Sequence, residues 1–542
     1  MPEHSVEIRS PGLAAETATL VDKLIAERVA SALAAGDPTL WGPQAQHEAA
    51  RRLAWVTLPE TSRPLLATIE ALRADLHSDG IDRVVLAGMG GSSLGPEVIC
   101  ATAAQSHTRN PLTVLDTTDP GQVADALAGD LKRTVLVVSS KSGSTVETDS
   151  HRRVFAAAFA AAGLDPAAHL VVVTDPGSPL QRLAEAQGYR AVITADPDVG
   201  GRYSALTAFG LVPAGLAGAD IAGLLDDAAE LSPLLSIDDQ TNPGLLLGAA
   251  LGAAHAAGAD KVALADTGSG IVGFGDWAEQ LIAESTGKDD TGLLPVVVEG
   301  PDAAGFDDGK PDTIPVAIGP AVGPAAVAVT GTLGGQFLLW EHATAVVGRL
   351  LGINPFDQPD VEAAKVAARS LLDDTAGPAP DPTFIEADVA GYSVGDWLPA
   401  GATTLADALR ALIAATPGGG YLAVQAYLDR IADASAALLR PELARRTMQQ
   451  TTFGWGPRFL HSTGQYHKGG HQNGAFLLLT GECEEDIPVP DTSFTLGKLQ
   501  RAQARGDAEV LAARGRPVLR LHLLDRAAGM VQVMRAVQEL GP

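Results

Sequence analysis

Apolar and polar residues follow two different rhythms along this chain. Between residues 12 and 80, the segments LVDKLIAERVASALAAG and RPLLATIEALRADLHSDG repeat apolar positions every three or four residues and end on glycine, which predicts helices. From residue 81 onward, short β-branched runs break into Gly, Ser, Thr or Asp and alternate with helical stretches such as 147–162: RVVLAGMGGSS, PLTVLDTTDP, TVLVVSSKSGS and HLVVVTDPGS. Strands that alternate with helices predict βαβ units and a parallel sheet buried on both faces.

The same alternation restarts near residue 217. DKVALADTGSG, LLPVVVEG and TIPVAIGP have the character of strands, and helical patterns separate them at 246–258, 276–287 and 333–350. A stretch rich in Pro and Asp at 373–384 indicates a linker. A third alternation follows, with strands in GYLAVQAYL, GAFLLLTGE and RPVLRLHLLD and a helix at 495–514.

These patterns predict an α/β protein with more than one core, since 542 residues exceed what a single core holds. We expect four parts: an N-terminal helical segment (1–80), a first doubly wound parallel-sheet domain (81–216), a second one (217–372) and a smaller C-terminal α/β unit (385–542).

Composition narrows the choice of partners. The net charge of −27 disfavours nucleic acid and anionic membranes, both of which need basic patches. Cys100 and Cys483 stand far apart and form no CxxC, so neither a disulfide framework nor a cysteine zinc site is expected. No basic-then-apolar signal opens the sequence, and the weakly polar stretch 316–331 is too short to span a bilayer, so we expect a cytoplasmic protein.

The segment SSKSGSTVETDS at 139–150 carries the clearest chemistry. It follows the apolar run TVLVV, and hydroxyl side chains and Lys141 surround Gly143 where a strand gives way to a helix. Such a turn directs free backbone N–H groups and the positive end of the helix at one point, and the hydroxyls add donors suited to phosphate. Taken alone, the segment is more typical of an ordinary Ser/Thr-rich turn that caps a helix.

A second glycine-rich turn, GMGGSSLGP, begins at Gly88. It nearly matches the dinucleotide fingerprint GxGxxG, but Ser93 stands at the sixth position, which disfavours an NAD-dependent oxidoreductase. The glycines still let the backbone approach a ligand closely, and Ser92 offers a hydroxyl. Both turns follow strands of one predicted parallel sheet, whose carboxyl edge is where ligands bind.

These two turns resemble the signature turns of the glucose-6-phosphate isomerase family, which is built from two sugar-phosphate-binding (SIS) α/β domains. Three further segments are similar to motifs of that family and occur in the expected order: GGRYS from Gly200, QLIAESTGK from Gln280, and NPFDQPDVEAAK from Asn354, with Asp360 where glycine is usual. WGPRFLHSTGQYHKGG, from Trp455, resembles the isomerase part of transaldolase/glucose-6-phosphate isomerase fusions, although no transaldolase barrel accompanies it.

The resemblance implies two SIS-type domains and the reversible isomerisation of glucose 6-phosphate and fructose 6-phosphate through an enediolate, without cofactor or metal. Glu284 would be the base, Arg202 would stabilise the enediolate, and Lys365 would lie near the ring oxygen. Gln280 stands four residues before Glu284, so the two share a helix face. The residues expected to bind phosphate or sugar are Gly91, Ser92, Ser140, Lys141, Ser142, Thr145, Gln280 and Gln358.

The sequence differs from the family pattern in the position of the ring-opening histidine. The resemblance implies a ring-opening histidine from a neighbouring subunit, placed before the NPFDQ block, but only His342 lies between Glu284 and Asn354, within an apolar helix typical of a packed residue. The other source is the cluster His461, His467 and His471, and we favour His467. No carboxylate or cysteine is interleaved with that cluster, so a metal site is not expected there.

Several alternatives stay open. A SIS-domain sugar-phosphate sensor would need no carboxylate at position 284, and an isomerase with added mannose 6-phosphate activity would differ only in pocket details. A glucosamine-6-phosphate synthase would need an N-terminal cysteine, and residue 2 is Pro. The resemblance also implies a homodimer and a functional association with transaldolase.

Overall fold

The computed structural model of the protein describes residues 4–105, 112–372 and 380–541. Its strands are β1 Ser5–Ile8, β2 Arg83–Gly88, β3 Leu112–Leu115, β4 Thr134–Ser140, β5 Leu170–Thr174, β6 Ala191–Thr194, β7 Lys261–Asp266, β8 Leu294–Val297, β9 Thr313–Ile318, β10 Val327–Thr330, β11 Phe384–Glu386, β12 Val389–Val394, β13 Tyr421–Tyr427, β14 Gln450–Trp455, β15 Gly474–Gly481 and β16 Val518–Leu523.

The helices are α1 Pro11–Ala26, α2 Val29–Ala34, α3 Gln46–Ala49, α4 Leu58–Thr61, α5 Pro64–Ser78, α6 Gly91–Ala104, α7 Pro120–Leu127, α8 Val146–Ala161, α9 Pro179–Ala186, α10 Ala208–Leu216, α11 Ile221–Leu235, α12 Pro243–Ala256, α13 Phe274–Thr286, α14 Leu333–Leu351, α15 Glu362–Leu372, α16 Leu405–Ala415, α17 Leu439–Thr447, α18 Gly464–Gly469, α19 Leu496–Ala513 and α20 Arg526–Gln538.

The first sheet has the strand order β3-β2-β4-β5-β6, with every neighbouring pair parallel. Every residue of β4 is buried, as expected for an apolar strand covered by helices on both faces. The chain passes from β2 to β3 on one side and continues to β4 on the other. The carboxyl ends of β2 and β4 therefore flank a topological switch point, where open α/β sheets bind ligands.

The second sheet, β1-β10-β9-β7-β8, is parallel except for β1, which pairs antiparallel with β10. The sequence predicted only helices in the N-terminal segment and missed this strand. β1 has four residues that alternate between exposed and half-buried, so it carries no apolar run. It adds an edge to a sheet whose other strands lie more than 250 residues further along the chain.

The third sheet belongs to the C-terminal unit and has the order β11-β12-β16-β15-β13-β14. Strands β13 to β16 pair in parallel, whereas β12 runs antiparallel to both β16 and β11. Helix α19 of this unit packs against α15, which brings the C-terminal unit against the segment that follows the second sheet.

The prediction of an α/β fold with parallel sheets is confirmed. Of the predicted linker 373–384, residues 373–379 lie outside the described residues. Within the described ranges, no helix is both long and apolar enough to cross a bilayer.

Candidate active site

A cleft of about 380 Å³ opens at the switch point of the first sheet. The turns after β2 and β4 form one wall, α13 of the second sheet forms another, and residues from the start of α15 and from a short 3₁₀ helix at Arg458–His461 complete it. The predicted site residues that line this cleft are Gly91, Ser92, Ser140, Lys141, Ser142, Thr145, Arg202, Gln280, Glu284, Gln358 and Lys365.

The turn between β4 and α8 has the geometry of an anion site. The Ser140 and Thr145 hydroxyls lie 3.0 Å apart, and the Gly143 N–H donates to Ser140 Oγ at 3.1 Å. Gly143 has φ of +67°, and a Cβ there would lie 2.9 Å from Leu180, so the turn requires glycine. Because α8 begins directly after Thr145, its positive end faces the same space as these hydroxyls.

The turn after β2 brings three backbone segments unusually close. Gly90 has φ of +57°, and a Cβ on it would lie 2.8 Å from both Gln280 Nε2 and the His461 carbonyl oxygen. A Cβ on Gly91 would lie 1.8 Å from the Gly201 carbonyl oxygen. Only glycine permits this approach, which places helix α13 against the first sheet.

Glu284 occupies the last turn of α13 and is mostly buried, with 13% of its side chain exposed. Its Oε2 accepts a hydrogen bond from Gln280 Nε2 at 3.1 Å, and Oε1 lies 3.4 Å from Arg202 Nη1. Gln280 Nε2 also donates to the His461 carbonyl oxygen at 2.8 Å. One carboxylate is thus fixed between an amide and a guanidinium while it lines the cleft.

Arg202 is held rigidly by the segment that begins at Asn354. Its Nη1 donates to Gln358 Oε1 at 3.0 Å, and Nη2 donates to the carbonyl oxygens of Pro355 and Asp357 at 2.9 and 2.8 Å. A guanidinium fixed in this way is preorganised to stabilise negative charge that develops beside Glu284.

Lys288 is a further structural cation that we did not single out from the sequence. Its Nζ donates to the Asn354 carbonyl oxygen at 2.6 Å and to the carbonyl and carboxylate oxygens of Asp357 at 2.7 Å. Burial and the nearby Arg202 charge lower the pKa of Lys288 to about 8, against the opposing effect of Asp357. Its position as the last residue of QLIAESTGK was the available signal.

The two predicted cleft lysines differ in how closely an acidic side chain pairs with them. Lys141 Nζ donates to Asp175 Oδ2 at 2.7 Å and to the Pro197 carbonyl oxygen at 3.2 Å, so its charge already has a carboxylate partner. Lys365 has 43% of its side chain exposed, and its Nζ lies 3.7 Å from Glu362, a longer ion pair than the 2.7 Å pair of Lys141 with Asp175.

The structure does not place His467 in the cleft. His467 is buried, its Nδ1 lies 2.9 Å from the Tyr421 hydroxyl, and its ring packs edge-on against Phe476. Burial, with the charges of Lys468 and Arg516, holds the pKa of His467 well below its usual value. A neutral ring enclosed by aromatic residues does not meet a sugar, so our preference for His467 is corrected here.

Two other candidate histidines also lie elsewhere. His342 is buried, with Nδ1 2.8 Å from the Leu338 carbonyl oxygen and its ring edge-on to Trp55. His471 stacks on His255, away from the residues that line the cleft.

His461 is the histidine that lines the cleft. Its Nε2 lies 3.2 Å from Oε1 of Glu147, a buried carboxylate in the first turn of α8 that also accepts a 2.7 Å hydrogen bond from Gln503. Burial acts to raise the pKa of Glu147, but the hydrogen bond and charge of His461 outweigh it, so this pKa lies below its usual value. Sequence reasoning missed the pairing because it joins residues more than 300 positions apart.

Within the described residues, no group of three or more His, Cys, Asp or Glu side chains is arranged to hold a metal ion.

Comparison with known proteins identifies relatives of this chain. Residues 72–289 match the family model of phosphoglucose isomerase. A glucose-6-phosphate isomerase of Acaryochloris marina is 34% identical over 43% of this chain and 47% of its own length, and one of Thermosynechococcus vestitus is 30% identical over 57% of this chain and 71% of its own. The chain therefore spans about half of the first relative and over two thirds of the second.

Among solved structures, a hypothetical protein of Thermus thermophilus superimposes with a TM-score of 0.57 at 26% identity, covering 69% of this chain and 100% of that one.

Proposed function

The chain belongs to the glucose-6-phosphate isomerase family, and we propose that Glu284 is the base that moves a proton between C1 and C2 as glucose 6-phosphate and fructose 6-phosphate interconvert. The observation that carries this proposal is that Glu284, Arg202 and the hydroxyl-lined turn at 140–145 line one cleft. That arrangement supplies the three things the reaction needs: an anchor for the phosphate, a base for the proton and a cation for the developing charge.

The phosphate binds at the turn between β4 and α8. Ser140, Ser142 and Thr145 donate through their hydroxyls, and the start of α8 adds backbone N–H groups. These neutral donors and the helix end act locally, which accounts for dianion binding in a protein with a net charge of −27. Lys141 contributes less than a free lysine because its ammonium is shared with Asp175.

Ring opening falls to His461 and Glu147. The ionised Glu147 carboxylate accepts from Nε2–H, which leaves the lone pair on Nδ1 to take the proton of the anomeric O1–H. The C1–O5 bond then breaks as O1 forms the aldehyde carbonyl with C1, and the His461 imidazolium passes its proton to O5. Lys365, whose ion pair with Glu362 is long at 3.7 Å, donates a hydrogen bond at the ring oxygen.

Isomerisation follows on the open chain. Glu284 removes the proton from C2 of the aldose, and the electron pair moves to form the enediolate, whose oxygen charge lies beside the Arg202 guanidinium. Glu284 then returns the proton to C1, and the proton of the C2 hydroxyl transfers to O1, so that C2 becomes the carbonyl and C1 carries the hydroxyl. Gln280 keeps the carboxylate in place throughout, since its amide donates to Glu284 Oε2.

Replacement of Glu284 by Gln tests the assignment. We expect kcat to fall by about 10²–10⁴-fold with little change in KM, because the variant keeps the size of the side chain but loses the base. A coupled assay measures the formation of fructose 6-phosphate from glucose 6-phosphate in the presence of EDTA. Repeating the assay with mannose 6-phosphate as substrate tests the added activity on that epimer.

Glu279→Gln is the matched control for that variant. It makes the same change on the same helix, but Glu279 lines a separate cavity of about 100 Å³ and should leave kcat unchanged. A near-normal kcat for Glu284→Gln, or a wild-type protein without turnover, contradicts the proposal.

The partner proposals rest on the family resemblance. We propose a cytoplasmic homodimer that associates functionally with transaldolase. Sedimentation of the purified chain tests the dimer, and co-elution with transaldolase tests the association.

A further inference from the structure

We propose that Gln503, on α19 of the C-terminal unit, is a positioning residue for ring opening: it fixes the Glu147 carboxylate that in turn orients His461. This inference rests on the proposed function and extends it to a residue that neither contacts Glu284 nor belongs to any motif found in the sequence.

The contacts of Gln503 are specific in direction. Its side chain is buried, with 4% of the residue exposed, and Nε2 donates to Glu147 Oε1 at 2.7 Å. On its other side, the Thr118 hydroxyl donates to Gln503 Oε1 at 2.9 Å. An ionised carboxylate only accepts hydrogen bonds, so the amide nitrogen must face Glu147, and Thr118 locks that orientation from the opposite side.

Both hydrogen bonds to Glu147 converge on one oxygen. Oε1 receives Gln503 at 2.7 Å and His461 at 3.2 Å. The amide therefore shares the carboxylate's charge with the imidazole, which limits how tightly Glu147 holds the His461 proton. Without that donor, the pair should bind a proton more strongly, and the imidazole should lose one of the contacts that set its angle.

The other charged or titratable groups around Glu147 affect its carboxylate equally in wild type and in each variant. Lys365 contributes positive charge from α15, and His151, one turn further along α8, is neutral because burial lowers its pKa to about 4. From β13, Tyr427 stays protonated because burial raises its pKa well above the usual value. The ion pair of Lys468 and Asp507, at 2.6 Å, belongs to the same region, and Lys468 lines the chamber next to the cleft.

The test compares Gln503→Met with wild type in two assays. We expect the acid limb of kcat/KM for glucose 6-phosphate to move up by about one pH unit, since the carboxylate has one donor fewer. We also expect kcat on the cyclic sugar to fall about tenfold, with less than about a twofold change on an open-chain fructose 6-phosphate analogue that lacks the C5 hydroxyl.

Gln500→Met is the matched control. Gln500 lies one turn earlier on α19, is equally buried, and donates to Asp119 at 3.3 Å instead of to Glu147. It should leave both the acid limb and the ratio of cyclic to open-chain rates at wild-type values. If Gln503→Met does not yield soluble protein, Thr118→Val asks the same question by freeing the amide, with a smaller shift in the same direction.

Equal slowing of both substrates with an unmoved acid limb would overturn the inference, as would an equal shift in Gln500→Met. Neither result bears on the assignment of Glu284, which the open-chain substrate reports separately.

Discussion

His461 and His467 stand six residues apart yet occupy opposite environments. His461 lines the cleft and pairs with Glu147, whereas His467 is buried between aromatic rings. We expect His461→Ala to lower kcat on cyclic glucose 6-phosphate by about 10²-fold and to spare the open-chain analogue, because only ring opening loses its proton carrier. Comparing kcat of His461→Ala and wild type on cyclic glucose 6-phosphate and on the open-chain analogue tests this prediction.

His467→Phe is the complementary change at the residue scale. It keeps an aromatic ring but removes the nitrogen that lies 2.9 Å from the Tyr421 hydroxyl. We expect the melting temperature to fall by a few degrees while kcat on both substrates stays near the wild-type value. A ring-opening defect in His467→Phe with none in His461→Ala would restore the preference for His467.

At the element scale, the 3₁₀ helix Arg458–His461 depends on ion pairs at its first residue. Arg458 contacts Glu97 of α6, and Arg430 donates to the same carboxylate at 2.7 Å. Burial acts to raise the pKa of Glu97, but the two arginines lower it to about 2. These ion pairs therefore hold the 3₁₀ helix that carries His461 against α6, the helix that follows β2 of the first sheet.

Glu97→Gln should weaken that anchor. At neutral pH we expect a loss of about 3 kcal/mol of stability, since Arg430 and Arg458 lose the carboxylate they share, while Arg458 keeps Asp116 at 3.4 Å. A carboxylate whose folded pKa is lowered stabilises above its unfolded value and loses that effect as pH falls, so the difference from wild type should shrink between pH 4.5 and about 2. Thermal melts across this range measure it.

Glu60→Gln on α4 is the control for that experiment. Glu60 pairs with Arg63 at 3.0 Å but is 70% exposed, so its loss should change stability by less than about 1 kcal/mol. A pH-independent deficit in Glu97→Gln would contradict the ion-pair account.

Elements with a strong local pattern were predictable from the sequence, and those defined by long-range packing were not. The β4 run TVLVV predicted a buried strand, and the glycines at 90 and 143 indicated turns that no other residue fits. Strand β1 and the Arg458–His461 helix carry no such pattern. β1 forms because β10 offers an unpaired edge, and ion pairs hold the helix in place.

At the scale of the whole molecule, some features of the candidate site were predictable from the sequence and others were not. Arg202 and Glu284 stand in short segments that resemble motifs of the family, and both side chains line one cleft. The pairings of Lys141 with Asp175 and of His461 with Glu147 depend on how sheets and the C-terminal unit pack, which no spacing records.

One chain supplies the cleft from its first sheet, its second sheet and its C-terminal unit. If Glu284 and His461 of the same chain serve one sugar, co-expressing Glu284→Gln and His461→Ala under two tags should give mixed assemblies no more active than the more active parent. Every site then carries one defect. If the histidine came from a neighbouring chain, one of the two sites in each mixed dimer would hold both wild-type residues, and activity would return to about half of the wild-type value.

Dilution of the wild-type protein tests the single-chain site independently. If its specific activity stays unchanged below the dimer dissociation constant, the single-chain site is supported, because a cleft closed by its own C-terminal unit does not need a second copy.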